Sequence, residues 1–572
     1  MAVTRKRAVL LTIALWAVLF LPCLGTLELQ GEEGRRILPA IDMLHGGNWL
    51  VPSVGGEDYY SKPPGINWLV AGAFTLTGQR NEASARLPSV FFTLAFVLLL
   101  VGMESPLWPA ATRLTAAAIY MTSIAILEKA RLIEIEAVYT AITGMAIVWW
   151  LNTYARGNQP WRQWIIPCLL LAFGALVKGP FLAGPFYATV FCVLLYANRQ
   201  PDEDGGPLTL KRRIARLRPL VSLPHIVGGV LILLIAGGWL YLAWRQNAAG
   251  MGRTYKGQLG GRFAPRSFSI LAWALAVLDS FPKLLPWLVL MPVLWLKPFV
   301  ANLPERVLPI FKGCRLAMVL GFACLCLIPG LESRYTIPAW PLMAVLLGWM
   351  LAAHRTPLAT DHIWKYSLLG VLTAVPIGVI VAAPWLGLHP AAISLAVAAA
   401  LAAAAAWKMR KKIEGGQTLV LLTVGVAAIC VVWNFVQLVP YRLQFDTRRT
   451  SAAEVNAIVP AGQTLYVYKP GYQSFLFYVR EPVRYLVAAD QLAPPVRYVL
   501  MPRLSPFGGV RRQLGLPGRY LLLPVRHWKN AEVLERLEAL GARPLKEIRA
   551  LPNTDSREAR DGRFMLYELD GR

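Results

Sequence analysis

LPHIVGGVLILLIAGGWLYLAW, residues 223–244, contains no charged side chain. At about 1.5 Å per residue, a helix of this length rises roughly 33 Å, enough to cross a hydrocarbon layer of about 30 Å. Similar apolar runs recur at about 8–27, 87–103, 108–127, 134–152, 163–179, 181–198, 269–296, 314–331, 336–353, 366–386, 391–407 and 418–438. They predict an all-α polytopic membrane protein with about 13 transmembrane helices. Composition agrees: 56% of the 572 residues are hydrophobic and only 16% are charged. That is well short of the roughly 25% charge of soluble domains.

The net charge of +26 would suggest nucleic acid in a soluble protein. Here the basic residues lie between apolar runs and no nucleic-acid motif accompanies them, so anionic lipids are the expected partners. Arg5, Lys6 and Arg7 place the N-terminus in the cytoplasm. Alternation then places 199–222, with Lys211, Arg212, Arg213, Arg216 and Arg218, on the same side, together with Lys408, Arg410, Lys411 and Lys412. An odd number of spans leaves the C-terminal segment outside. Residues 1–25 resemble a signal peptide but lack an A-x-A site, and read as a retained first helix. The seven cysteines lie in apolar runs, which argues against a disulfide scaffold or zinc knuckle.

Two domains are expected: a membrane domain, 1–440, containing a first outer loop at 28–86, and a small soluble α/β domain, 441–572. In the second, Leu465–Tyr468, Phe475–Val479, Arg497–Met501, Tyr520–Pro524 and Phe564–Leu569 read as strands, and Asn530–Leu540 as a helix.

The residues suited to chemistry gather on the outer face. The first outer loop opens Glu32-Glu33-Gly34-Arg35-Arg36 and continues as an amphipathic stretch, Ile37–Leu44, expected to lie along the membrane surface. Lys62 stands before two prolines, whose fixed φ stiffens the segment and suits a phosphate contact. Glu128, Lys129, Arg131, Glu134 and Glu136 lie between spans three and four, Lys178-Gly179-Pro180 between five and six, and Glu332-Ser333-Arg334-Tyr335 between nine and ten. The outer segment 245–268 carries Arg245, Arg253, Lys256, Arg262 and Arg266 and no acid, against the usual charge bias. Either it binds an anionic group or it is simply a long translocated loop. Asp279 and Lys283, four apart, read as a pair on one helix face. Of the histidines, His45 alone is placed to contact a ligand or metal.

The order of these motifs resembles the GT-C class of polyprenyl-phosphate-sugar glycosyltransferases, specifically the bacterial aminoarabinose (lipid A) transferase and protein O-mannosyltransferase-like group. Glu32-Glu33-Gly34-Arg35 matches the family's Asp-Glu-x-Arg, with Glu for Asp. Gly47-Asn48-Trp49 with Pro52, Tyr59 to Pro64, Ala85 to Ser89 with Arg86, and Arg131-Leu132 with Glu136 follow in order. Lys178-Gly179-Pro180, Pro286-Trp287 and Arg334-Tyr335 with Pro338 and Pro341 complete the set, which covers residues 1–350.

The resemblance implies an inner-membrane enzyme that transfers a sugar, with inversion, from a polyprenyl-phosphate donor to a lipid, glycan or protein acceptor. It implies Glu32 as base. Glu33 and Glu136 would orient groups or hold a divalent cation; from the residues themselves, Glu32, Glu136 and His45 are the candidate metal ligands. Lys62 and Arg35 would hold the donor phosphate, and Tyr59, Arg86, Arg131, Lys178, Arg334 and Tyr335 would contribute to substrate binding; Arg253, in the basic segment 245–268, is a further substrate-binding candidate. A transporter or flippase and a non-catalytic homologue are the competing classes. A transporter commonly shows repeated halves and midplane charges, and neither is visible here.

Overall fold

The computed structural model describes residues 4–157, 159–197, 215–263, 269–296, 300, 303–305, 307–353, 361–386, 390–410, 416–433, 435, 439–443, 447–468, 470–487, 498–502, 539, 543–549 and 563–568. Two compact units emerge: Met1–Leu24, Tyr60–Ile66 and Arg86–Tyr441 form one, and Gly25–Tyr59, Asn67–Ala85 and Arg442–Arg572 the other. Most of the first outer loop therefore clusters with the C-terminal residues, rather than with the helices that flank it in sequence.

The first unit is helical. Glu82–Gly102, Pro160–Lys178, Leu223–Gln246, Leu308–Cys326 and Ser333–Ala352 are each long and apolar enough to cross a bilayer, and the protein is a multi-pass membrane protein. Further helices include Arg5–Phe20, Ala110–Thr122, Ile135–Arg156, Ala183–Ala197, Asp361–Leu386, Pro390–Met409 and Gly416–Trp433. Small residues let these helices approach closely, since lipid tails give apolar side chains no incentive to leave the bilayer. At Gly313 a Cβ would come within 2.8 Å of the Val193 Cα, so Leu308–Cys326 meets Ala183–Ala197 backbone to backbone. Trp108, Trp150, Trp164 and Tyr120 fill the space between the helices and are fully buried.

Two expectations change here. The run 269–296 is not one continuous helix. Its helix, Ile270–Leu278, stops before Pro282, Pro286 and Pro292, and 3₁₀ turns at Pro282–Leu284 and Trp287–Trp295 follow. Proline removes a backbone donor and clashes with the preceding turn, so three of them in a short interval prevent a regular helix. The segment 245–268, read as a loop, is helical over Ala248–Phe263.

In the second unit, Gly34–Leu44 is a helix with an apolar face, followed by a two-stranded hairpin, β1 (Ser53–Val54) and β2 (Glu57–Asp58). Toward the C-terminus, β3 (Leu465–Tyr468), β4 (Val483–Leu486), β5 (Tyr498–Pro502), β6 (Arg543–Arg549) and β7 (Arg563–Glu568) form a mixed sheet of order β4-β3-β5-β7-β6. β3 runs parallel to β4 and β5, while β7 pairs antiparallel with β5 and β6. The helix Arg448–Ile458 accompanies it. Residues 475–479, read as a strand, instead contain the 3₁₀ turn Ser474–Phe477, while β4 and β6 went unread. The expected strand at 520–524, the expected helix at 530–540 apart from Ala539, and the basic residues Lys211–Arg213 lie outside the described residues.

Candidate functional site

In the helical unit, Glu136 occupies the first turn of Ile135–Arg156, and Lys178 ends the neighbouring helix Pro160–Lys178. An acid at a helix N-terminus and a base at a C-terminus are both favoured by the helix dipoles. Their side chains meet: Lys178 Nζ lies 2.8 Å from Glu136 Oε1, and both are largely buried, at 11% and 7% exposure. Arg334 Nε approaches the same oxygen at 3.9 Å, and its Nη2 lies 2.6 Å from Glu332. Aromatic rings flank the lysine, whose Nζ lies 4.7 Å from the Tyr335 ring centre and 5.7 Å from that of Tyr139. Tyr335 donates to Glu332 at 3.0 Å. The result is a buried carboxylate held between two cations, the nearer of them flanked by two tyrosines.

Tyr139, one turn beyond Glu136, fixes the floor of this cluster. Its hydroxyl donates to the Gly179 carbonyl at 2.8 Å and accepts from the Leu182 N–H at 2.6 Å, tying the turn after Lys178 to Ile135–Arg156. Removing the hydroxyl leaves a buried N–H unsatisfied. Tyr139→Phe is therefore expected to lower stability by about 1–3 kcal/mol, measured as a fall in the thermal unfolding midpoint of the purified protein in detergent.

Lys62 is half-buried in the segment Tyr60–Ile66. That segment runs against the end of Pro160–Lys178: a Cβ on Gly65 would sit 2.6 Å from the Leu176 carbonyl oxygen. Only glycine permits this approach, which brings the backbone that carries Lys62 beside the turn that ends in Lys178. Close by in sequence to Glu136, Lys129 bridges Glu128 and Glu134, at 3.1 Å to each. Burial opposes the ammonium charge, but Glu134, Glu128 and Glu136 outweigh it and hold Lys129 above the usual lysine range.

Other expected site residues are engaged elsewhere. Arg131 donates to the Leu19 carbonyl at 3.0 Å and the Pro22 carbonyl at 2.5 Å, and Arg86, fully buried, donates to the Leu24 carbonyl at 2.7 Å. Both hold the end of the first helical segment. Arg253 is exposed on Ala248–Phe263 and pairs with no acid among the described residues. Lys283 and Asp279 do pair, at 3.3 Å, but through a turn beyond the end of Ile270–Leu278, where Ser333 joins both.

In the second unit, Glu32 stands at the start of Gly34–Leu44 and is held by Arg36 at 2.9 Å and Arg35 at 3.5 Å. Glu33 is buried, and its Oε2 accepts the Gln30 N–H at 2.8 Å, closing a capping box that fixes the turn carrying Glu32. Arg35 lies over the Tyr472 ring at 4.0 Å and farther, at 5.8 Å, from Tyr59. Gly34 is needed here, since a Cβ would fall 2.5 Å from the Tyr472 carbonyl oxygen. The Tyr59 hydroxyl is buried with no hydrogen-bond partner among the described residues. His45 contacts Glu481 at 3.2 Å and Arg80 at 2.9 Å.

Among the described residues no three His, Cys, Asp or Glu side chains converge to hold a metal ion. Glu32 and Glu136 are each engaged by two cationic side chains, which compete with a divalent ion for the same oxygens.

Sequence reading missed Tyr139 and Tyr472. Helical spacing from Glu136 was a signal for the first. The second lies too far along the chain from Arg35 for any local pattern to indicate it.

Known proteins bear out the resemblance read from the motifs. A family model described as dolichyl-phosphate-mannose-protein mannosyltransferase matches residues 61–202. The chain is 26% identical over 198 residues to an undecaprenyl phosphate-alpha-4-amino-4-deoxy-L-arabinose arabinosyl transferase of Pseudomonas savastanoi pv. phaseolicola, covering 34% of this chain and 37% of that one. It is 25% identical over 359 residues to transferase 2 of the same description from Pseudomonas fluorescens, covering 61% and 60%. These alignments thus span less than two thirds of either relative. Its fold matches that of ArnT from Cupriavidus metallidurans bound to undecaprenyl phosphate, with a TM-score of 0.65 and 17% identity over 98% of this chain and 97% of that one.

Proposed function

We propose that this chain is a membrane glycosyltransferase that moves a sugar, with inversion, from a polyprenyl-phosphate donor to an acceptor on the outer face of the bacterial inner membrane. The acceptor is a lipid A-like lipid, with a glycan or a protein as the other possibilities. The observation that carries this reading is the Glu136–Lys178–Arg334 cluster, built at adjoining helix ends from three motifs that also lie in family order. The names of the sequence relatives, undecaprenyl phosphate-aminoarabinose transferases, support the donor class.

The topology that fits is one of about 13 spans, with a cytoplasmic N-terminus and a small extracytoplasmic α/β domain at 441–572. In this reading Glu32 takes the proton of the acceptor hydroxyl as that oxygen attacks the anomeric carbon. Inversion follows from this single displacement. The phosphate leaves as an anion; motif order assigns Lys62 and Arg35 to it, and Lys178 and Arg334 are cations of the kind that stabilise the charge that develops there. Glu136 orients the two cations beside it, and Glu33 shapes the turn that presents Glu32. The Tyr59 hydroxyl, buried with no hydrogen-bond partner among the described residues, is a donor available to a bound sugar or phosphate oxygen.

In proteoliposomes loaded with a polyprenyl-phosphate donor labelled in its sugar, wild-type protein is expected to move the label covalently onto acceptor lipid. Net movement of the intact donor across the bilayer without any transfer would instead establish the flippase class.

A further inference from the structure

The far end of Ile135–Arg156 lies about 30 Å along the helix from Glu136, and there a polar cavity opens. Its volume is about 340 Å³, and Arg5, Glu104, Trp149, Asn152, Arg156 and Arg162 line it. Arg5 neutralises Glu104 at 3.2 Å, and Arg156 donates to the Glu104 backbone carbonyl. Arg162 has its backbone carbonyl held by Trp149 Nε1 at 2.9 Å, and its side chain is exposed at the rim. Three guanidinium groups against one carboxylate leave the cavity with an excess of positive charge.

Asn152 is the second observation. It is only 4% exposed, yet its Oδ1 has no hydrogen-bond partner among the described residues. A buried amide without a partner is costly, and such groups in stable proteins ordinarily meet a ligand or water. An amide at the base of an arginine-rimmed cavity can accept from a hydroxyl while the guanidinium forks take a phosphate oxygen pair. Basic pockets between membrane helices are suited to anionic headgroups.

We propose that this cavity binds a phosphoryl group bearing a hydroxylated substituent, as in a phosphatidylglycerol headgroup or a free glycerol phosphate. Arg156 and Arg162 take the phosphate and Asn152 takes a hydroxyl. The site lies at the opposite end of the helix from the proposed donor site and is independent of it.

Trp149 reports on the cavity directly. The full-length protein, labelled with 5-fluorotryptophan and reconstituted in phosphatidylcholine nanodiscs, gives a fluorine resonance for Trp149 that Trp149→Phe assigns. Adding phosphatidylglycerol is expected to shift this line saturably, whereas more phosphatidylcholine leaves it in place. Arg162→Gln, and the pair Arg156→Gln with Arg162→Gln, should raise the half-saturating concentration by at least about tenfold. The single variant touches only a rim residue and serves if the double one does not fold. A shift with glycerol phosphate alone identifies a soluble ester as the source, and a shift with the lipid alone identifies the leaflet. A line that neither anion moves, that phosphatidylcholine moves equally, or that responds unchanged in Arg162→Gln overturns the proposal.

Discussion

Glu32→Gln is expected to lower kcat for sugar transfer by roughly 10²–10⁴-fold, the usual range for losing a general base, while the KM for the donor changes little. Glutamine keeps the shape of the side chain and loses only the ability to take a proton. The carboxylate is held by Arg35 and Arg36, and the buried Glu33 cap fixes its turn, so the substitution leaves the surrounding backbone in place. Glu32→Asp, which restores the shorter acid of the family pattern, should retain far more activity than the glutamine variant. Steady-state kinetics on both variants separate a base from a structural anion: a structural role would move KM and the unfolding midpoint instead.

The second large effect is predicted at Lys178. Its ammonium is the near partner of Glu136, a buried carboxylate whose other cation stands 3.9 Å away. Removing one member of a buried pair leaves an uncompensated charge and costs about 3–5 kcal/mol. Lys178→Met should therefore lower the unfolding midpoint and abolish transfer together. Adding Glu136→Gln removes the stranded charge, so the double variant should regain most of the lost stability. It should not regain transfer, because the cation proposed to stabilise the leaving phosphate is still missing. Recovery of both properties would make the pair a packing device only.

The sequence revealed the helical architecture because a bilayer imposes about 20 apolar residues on each crossing. The reading failed where chemistry other than hydropathy decides. Pro282, Pro286 and Pro292 break a run that hydropathy alone treats as continuous. Phe475–Val479 is apolar and short, and such a run does not distinguish a strand from a buried helical turn; here it is largely a turn. Glu136, Lys178 and Arg334 were legible because charged groups at helix ends stand out against apolar neighbours. Arg86 and Arg131 stood out equally, yet their guanidinium groups hold backbone carbonyls at 19–24. Charge in an apolar context marks a residue as used without saying for what. The clustering of most of 25–85 with the C-terminal residues has no local signature at all, since its contacts join positions several hundred residues apart.

Lys62 offers the most direct test of phosphate capture beside the Lys178 turn. Equilibrium binding of radiolabelled undecaprenyl phosphate to wild-type protein and to Lys62→Ala, without acceptor, isolates recognition of the lipid's anionic head from the chemical step. A loss of affinity of about tenfold or more is predicted, as expected for one charge-assisted contact. Identical binding curves for a folded Lys62→Ala variant would contradict it.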